Sequence, residues 1–526
     1  PPAALPAAGN GSAAAGLEGP GAAPGPLSSE HSHGYIPTDS GMATGRMLIG
    51  GVAFAIALFY AVNWYQRKPR RFTWRMLSAT LSIFVAVITW DVVYKIVAFA
   101  CKQNGAERFA FLFGFMALYG MLQMVLLMLR DNALMLHAVA TIAGHMCGFA
   151  AIAAFEAIQE MVDQFVEMAL VIGIFVVLML GFFAVSGKIR SMWRPGSGAA
   201  DEAGVFKKQN EAWLEACEEL EDDAMTLALG LLMSQAVRFL ILGKLPHLHG
   251  ETGRTSKQVD MLLCAGLAFG FMVACSTYVR RRFYRAYNGI YQQATLLLTE
   301  SGLEGVNFVL PSNFGCKKRV LRFVQGTLAM TTSWIFVFWG QWRLYLYFPE
   351  DKMIMDIVLA VTTSIAVFAL LVVFSLDCVS GQAGEERVFE NIVAALGLLV
   401  GLHWEIAFEL ALHSTLLQTG RRFDGTELME YACCVALVDL LVVPAWMYFV
   451  LPRAVTGLKR DAGQQRLFSQ DLYEDSSDAH SGPSSEAEVD MGKEGFEAEA
   501  DARNGGRSRS VSVATTTSAS TNDWVG

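Results

Sequence analysis

Hydrophobic residues are concentrated in about eleven stretches, each near 20 residues long, between Met47 and Leu451. A bilayer core is about 30 Å thick, and a helix needs about 20 apolar residues to cross it. Because lipid offers the backbone no hydrogen-bond partner, each stretch must be helical. The pattern predicts an all-α polytopic membrane protein. The predicted spans are Met47–Tyr65, Met76–Ala98, Phe109–Leu129, Ala133–Ala157, Phe165–Val185, Ala224–Leu242, Met261–Val279, Thr327–Tyr347, Met353–Phe374, Ile392–Leu412 and Met429–Val450.

Two polar tails flank a transmembrane domain predicted over residues 46–452. Residues 1–45 are rich in Ala, Gly, Pro and Ser, and residues 453–526 are acidic and rich in Ser, with few aromatic residues. Neither composition buries enough apolar surface to fold alone, so we expect both tails to be disordered.

Two loops between the predicted spans are long enough to hold structure. In the loop at residues 187–223, Trp213, Cys217 and Leu220 recur at helical spacing among glutamates, which predicts an amphipathic helix leading into the sixth span. The loop at residues 280–325 mixes basic and aromatic side chains. That mixture suits anionic lipid headgroups, and it is equally typical of an ordinary cytoplasmic loop with interfacial tyrosines.

The distribution of Lys and Arg predicts the orientation of the chain. About 24 basic residues fall on one side of the predicted spans and about 9 on the other, and the richer side is normally cytoplasmic. The N-terminus is therefore predicted outside and the C-terminus inside. Asn10, in the sequon Asn10-Gly11-Ser12, is then a candidate glycosylation site. In the cytoplasmic tail, Ser510 and Ser512 each follow an arginine three residues earlier, which makes them candidate phosphorylation sites. A kinase or an adaptor is therefore a candidate partner of this tail.

The fourth and tenth spans share a sequence pattern. The segment from Gly144 to Glu156 contains Gly-x-x-x-Gly followed by Ala-Phe-Glu, and the same pattern returns 253 residues later from Gly397 to Glu409. A weaker match with an offset of 251 links residues 71–72 to residues 322–323. These near-equal offsets predict an internal duplication. Because the copies start six spans apart, they cross the membrane in the same direction, as in transporters built from parallel repeats.

The Gly-x-x-x-Gly pairs also predict where helices pack closely. Glycines four residues apart on a helix let a neighbouring backbone approach. We therefore expect tight helix contacts at Gly144 and Gly148 and at Gly397 and Gly401.

Charged residues inside the predicted spans are the main functional candidates. A charge at the bilayer centre costs at least about 2.5–3.5 kcal/mol, so such residues persist where they face a partner, a cavity or a pathway. The candidates for a proton or cation pathway are Asp91, His145, Glu156, Glu405, Glu409, His413 and Asp439. The candidate charge partners are Lys95, Arg238 and Arg343.

Helical spacing groups several of these candidates. Glu405 and Glu409 are one turn apart on one face of the tenth span, and Asp91 and Lys95 are four residues apart and able to pair. Glu156 and Glu409 are equivalent in the repeat, which predicts a paired-carboxylate site between its halves. Paired carboxylates in a low dielectric suit proton binding or cation coordination.

The alternative is that these residues form structural ion pairs or lie at span ends and reach the surface. Asp356, at the start of the ninth span, is expected near the outer surface for this reason.

Absent motifs narrow the function. The nine cysteines include no Cys-x-x-Cys pair, so neither a zinc site nor a disulfide framework is indicated. No phosphate-binding Gly-x-x-x-x-Gly-Lys loop, His-Glu-x-x-His motif or nucleophile elbow occurs, and we predict no catalytic residue and no cofactor. The net charge of −9 derives mainly from the tail, so no nucleic-acid partner is indicated.

The sequence therefore favours a secondary transporter or ion-conducting protein that moves a small ion or solute across the bilayer. One alternative is a receptor or scaffold that signals through its cytoplasmic loops and tail. Another is a membrane-embedded enzyme that acts on lipid, with His and Glu as acid–base groups.

Overall fold

The computed structural model describes residues 39–101, 107–162, 164–192, 203–245, 255–300, 312–348, 351–376, 389–417 and 425–454. The candidate modification sites Asn10, Ser510 and Ser512 lie outside these ranges. Within them the chain forms helices and no strand. Eleven of the described helices are long and apolar enough to cross a membrane, which confirms the predicted all-α membrane fold.

The helices are numbered here in chain order. They are α1 (Asp39–Val62), α2 (Arg67–Cys101), α3 (Glu107–Met128), α4 (Ala133–Gln159), α5 (Phe165–Met192), α6 (Ala203–Leu242), α7 (Ser256–Glu300), α8 (Ser312–Tyr345), α9 (Lys352–Phe374), α10 (Glu390–Leu417) and α11 (Gly425–Ala445). A π-helical turn, Trp446–Val450, follows α11, and it begins two residues after Pro444. This agrees with the loss of a backbone hydrogen bond that proline imposes.

Several helices are longer than their apolar segments. The helix α6 begins at Ala203, about 20 residues before the predicted span, so the amphipathic segment and the span form one continuous helix. The apolar side chains Trp213, Cys217 and Leu220 of that segment are buried. Hydropathy alone places the start of the helix too late because glutamates fill the other face of this segment.

Five helices form an inner ring. The helices α2, α4, α6, α8 and α10 contact one another in a closed cycle in that order, and α10 returns to α2. Most of the other helices pack on the outside, each against one or two members of the ring. Buried polar residues are concentrated on the ring helices, whereas α1 and α5 present many exposed apolar side chains suited to lipid.

Polar contacts show that the ring helices α2 and α10 are parallel. Near the start of both helices, Arg75 forms an ion pair with Glu390 at 3.8 Å. Near their ends, the Nζ atom of Lys95 lies 3.0 Å from an oxygen of Glu409. Since successive spans cross a membrane in opposite directions, the five even-numbered helices all run the same way.

The predicted close packing at glycines is found in the ring. A Cβ atom at Gly148 of α4 would lie 2.7 Å from the side chain of Leu227 in α6. A Cβ atom at Gly397 of α10 would lie 2.6 Å from the Cβ of Ala79 in α2. Each contact is closer than side chains tolerate, so glycine is required for the observed helix spacing.

The contacts agree in part with the predicted duplication. The helix α4 packs against α2 and α3, and its counterpart α10 packs against α8 and α9. The halves differ in their largest interface, because α4 packs mainly on α6, whereas α10 packs mainly on α2.

At one end of the ring, a buried carboxylate links α6 to three other helices. Glu221 of α6 is only 1% exposed, and its Oε1 atom lies 2.6 Å from Nη1 of Arg190 in α5. The hydroxyl of Tyr119 in α3 donates to the same oxygen at 2.7 Å, and Arg319 of α8 lies 3.3 Å from the other oxygen. This cluster joins four helices at the end where α2 and α10 begin, called the basic end below.

Candidate ion-binding site

The opposite end of the ring contains the largest set of predicted site residues. Asp91 and Lys95 lie one turn apart on α2, and Glu405 and Glu409 lie one turn apart on α10. The close approach of α2 and α10 at Gly397 brings the two pairs to one interface. The hydroxyl of Thr80 in α2 also donates to the Gly397 carbonyl at 3.3 Å, which fixes the register of the two helices.

The ammonium group of Lys95 lies at the centre of this interface. Its Nζ atom is 2.5 Å from Oδ2 of Asp91 and 3.0 Å from Oε1 of Glu409. The ring of Tyr431 in α11 has its centroid 4.1 Å from the same nitrogen, which is a cation–π contact. The Tyr431 hydroxyl donates to Asp91 Oδ2 at 2.6 Å. Two carboxylates and one aromatic face therefore surround a single cation.

Two further carboxylates lie beside this group. Glu405 is 6% exposed and interacts electrostatically with Asp91, Glu409, Lys95 and Asp356. Asp356 of α9 is 2% exposed, and its Oδ2 atom has no hydrogen-bond partner among the described residues. Asp356 lies four residues after the first residue of α9, and it is buried although it is close to that end of the helix.

Glu156 lies in a separate polar group between α4 and α6. Gln235 Nε2 lies 3.5 Å from Glu156 Oε1, and Arg238 Nη1 donates to Gln235 Oε1 at 2.8 Å. Arg238 is fully buried, and its guanidinium lies 3.9 Å from the ring centroid of Phe338 in α8. The polar contacts of Glu156 are thus with α6, whereas those of Glu409 are with α2. The predicted pairing of these two carboxylates has no supporting contact in the described part of the chain.

The candidate histidine His145 lies away from the Lys95 group. His145 is buried on α4 and interacts electrostatically with Glu219 of α6. It precedes Glu156 by eleven residues, which is about 16 Å along a helix. His413 belongs to α10, but its side chain lies outside the described residues.

The remaining candidates have local partners. Asp439 of α11 accepts a hydrogen bond from the Thr89 hydroxyl of α2 at 2.9 Å, which adds to the α2–α11 contact. The guanidinium of Arg343 lies 5.5 Å from the ring centroid of Tyr347, at the end of α8. Neither contact pairs a predicted cation with a predicted acid.

Tyr431 is the site residue that sequence reasoning missed. It lies near the start of the last span, where an isolated tyrosine is normally explained by the membrane interface. Its role depends on α11 packing against α2, and that contact leaves no periodic signal in the sequence.

The arrangement has the chemistry of a cation site. Asp91 and Glu409 supply carboxylate oxygens to the Lys95 ammonium, and Glu405 interacts electrostatically with Lys95 and with Asp356. Within the described residues, no group of three or more His, Cys, Asp or Glu side chains is placed to hold a metal ion. Comparison of the chain with protein-family models, with curated proteins and with solved structures found no match.

Proposed function

We propose that this multi-pass membrane protein transports or conducts a cation or protons, using Asp91, Glu405 and Glu409 as the ion-binding carboxylates. The observation that carries the proposal is the convergence of Asp91 from α2 and Glu409 from α10 on one ammonium group, with Glu405 one helical turn from Glu409. We further propose that the basic end faces the cytoplasm, as the distribution of Lys and Arg predicts. The binding site then opens toward the outer side.

The number of carboxyl groups in the Lys95 group supports ion binding more than a structural role. A structural ion pair needs one carboxylate for Lys95, and Asp91 already fills that place at 2.5 Å. Glu405 and Glu409 add two further carboxyl groups in a low-dielectric setting, where an unbalanced charge is costly. A proton or a cation taken up from water offsets this cost, so the group is suited to binding one.

The first prediction concerns Glu405. No hydrogen-bond partner of its carboxylate is found among the described residues, so Glu405→Gln keeps the side-chain shape and breaks no ion pair. We expect the variant to fold, and we expect its ion flux in liposomes to fall to the level of protein-free liposomes. The measurement is the decay of an imposed cation or proton gradient, followed with dyes in the lumen.

The matched control is Glu430→Gln. Glu430 is an exposed acid next to Tyr431 at the same end of the bundle. We expect wild-type flux from this variant, because exposed charges lie in water and contribute little to a buried site. A folded Glu405→Gln variant with wild-type flux would contradict the assignment of the pathway to this cluster.

A further inference from the structure

We infer that Lys95 acts as a tethered competitor ion, whose ammonium group occupies the place of a monovalent cation and leaves when that cation binds. The inference rests on the proposed function and specifies its substrate as an alkali-metal or ammonium ion.

The surroundings of the Lys95 ammonium are those of a monovalent-cation site. Oxygens of Asp91 and Glu409 lie 2.5 and 3.0 Å from Nζ, and the ring of Tyr431 covers a third direction. An ammonium group is close in size to a potassium ion, and both bind oxygen ligands and aromatic faces. A free cation of this size could therefore accept the same ligands once Lys95 has moved away.

Lys95 is able to move without a change in the backbone. Its side chain is 22% exposed, and the residue lies six positions before the end of α2 at Cys101, about 9 Å along the helix axis. A lysine has a flexible four-carbon stem and can extend its charged head toward water. The released ammonium group can therefore reach the aqueous surface at this end of the bundle.

Charge balance favours a monovalent ion. Exchange of one ammonium group for one monovalent cation leaves the charge of the cluster unchanged. Asp356, 2% exposed and with Oδ2 unpartnered in the described structure, supplies a further oxygen beside Glu405 for an incoming ion.

The first test uses the wild-type protein. Purified protein in detergent is treated with an amine-reactive reagent in potassium chloride or in N-methylglucamine chloride at equal ionic strength, and modification of Lys95 is measured by mass spectrometry. The modified fraction should rise severalfold in potassium, because the bound ion releases the ammonium group. Lys257, exposed at the start of α7, is the internal reference and should not change. Equal modification of Lys95 in both salts would overturn the inference.

The second test compares Lys95→Met with Lys95→Arg. Methionine keeps the apolar stem and removes the competing charge, whereas arginine keeps a charge. We expect the potassium concentration that half-saturates thermal stabilisation to fall by about tenfold or more in Lys95→Met, given the strength of charged hydrogen bonds. It should stay within a few-fold of wild type in Lys95→Arg. Proteins are purified in high potassium, which should stabilise Lys95→Met.

The outcomes separate this inference from the proposed function. Potassium binding that is lost in Glu405→Gln but is no tighter in Lys95→Met would overturn the competitor role and leave the proposed function standing. The absence of potassium, sodium, ammonium or proton binding in wild type and in every variant would overturn both. Tighter potassium binding in Lys95→Met, lost again when Glu405→Gln is added, supports both.

Discussion

Replacement of Arg190 by alanine is expected to lower the free energy of unfolding by about 3–5 kcal/mol, the usual cost of removing one partner of a buried ion pair. Glu221 is 1% exposed, and Arg190 lies 2.6 Å from its Oε1 atom. Without the guanidinium, the Tyr119 hydroxyl remains a donor to that oxygen, but it is neutral. The cation that remains beside the carboxylate, Arg319, is 39% exposed and also pairs with Asp222, so it offsets the buried charge only weakly. The measurement is unfolding of the purified protein in detergent by denaturant or heat.

Arg319→Ala is the matched control for this prediction. Arg319 contacts the same carboxylate at 3.3 Å, but its side chain is 39% exposed, so solvent screens its contribution. We expect a loss of at most about 1 kcal/mol from this variant. If the two variants are equally stable, Glu221 is not held by a buried pair and the account of the basic end is wrong.

Replacement of Gly397 by leucine is expected to abolish ion flux and to destabilise the protein by more than about 1–3 kcal/mol, the usual cost of overpacking. A Cβ atom at this position would lie 2.6 Å from Ala79 Cβ and 3.1 Å from the Met76 carbonyl oxygen. Since backbone atoms of α2 are involved, the clash is relieved by moving the helices apart. The separation also widens the distance between Lys95 and Glu409, which span the same interface.

Gly181→Leu provides the control for a leucine in a spanning helix. Gly181 lies in α5, and no heavy atom lies within 4 Å of a Cβ built there. We expect wild-type stability and flux, because leucine favours helix more than glycine and meets only lipid. Wild-type flux from Gly397→Leu would show that the α2–α10 spacing does not position the site.

The spans were predictable because lipid imposes a simple rule on sequence. Each crossing needs about 20 apolar residues, so hydropathy located all eleven helices found among the described residues. The same rule misplaces helix ends. Charged segments such as Arg67–Arg75 continue α2 outside the apolar stretch, where water or partner side chains satisfy them.

The candidate site was predictable only where its residues are close in sequence. The Asp91–Lys95 pair follows from helical spacing, and the glycine pattern correctly indicated where helices approach. Neither pattern states which helix is the neighbour. The partnership of Lys95 with Glu409, and the contact of Tyr431 with Asp91, depend on how α2, α10 and α11 assemble. That assembly is set by packing across hundreds of residues, which spacing along one helix does not encode.

We propose above that carboxylates of α2 and α10 bind the ions that cross the membrane. The most direct test is tracer uptake by the purified wild-type protein in liposomes, with radioactive rubidium and sodium outside and a pH-sensitive dye inside, beside Glu409→Gln. We expect uptake or a pH change well above that of protein-free liposomes, and we expect it to be lost in the variant. Wild-type liposomes that take up neither tracer and show no pH change would contradict the account.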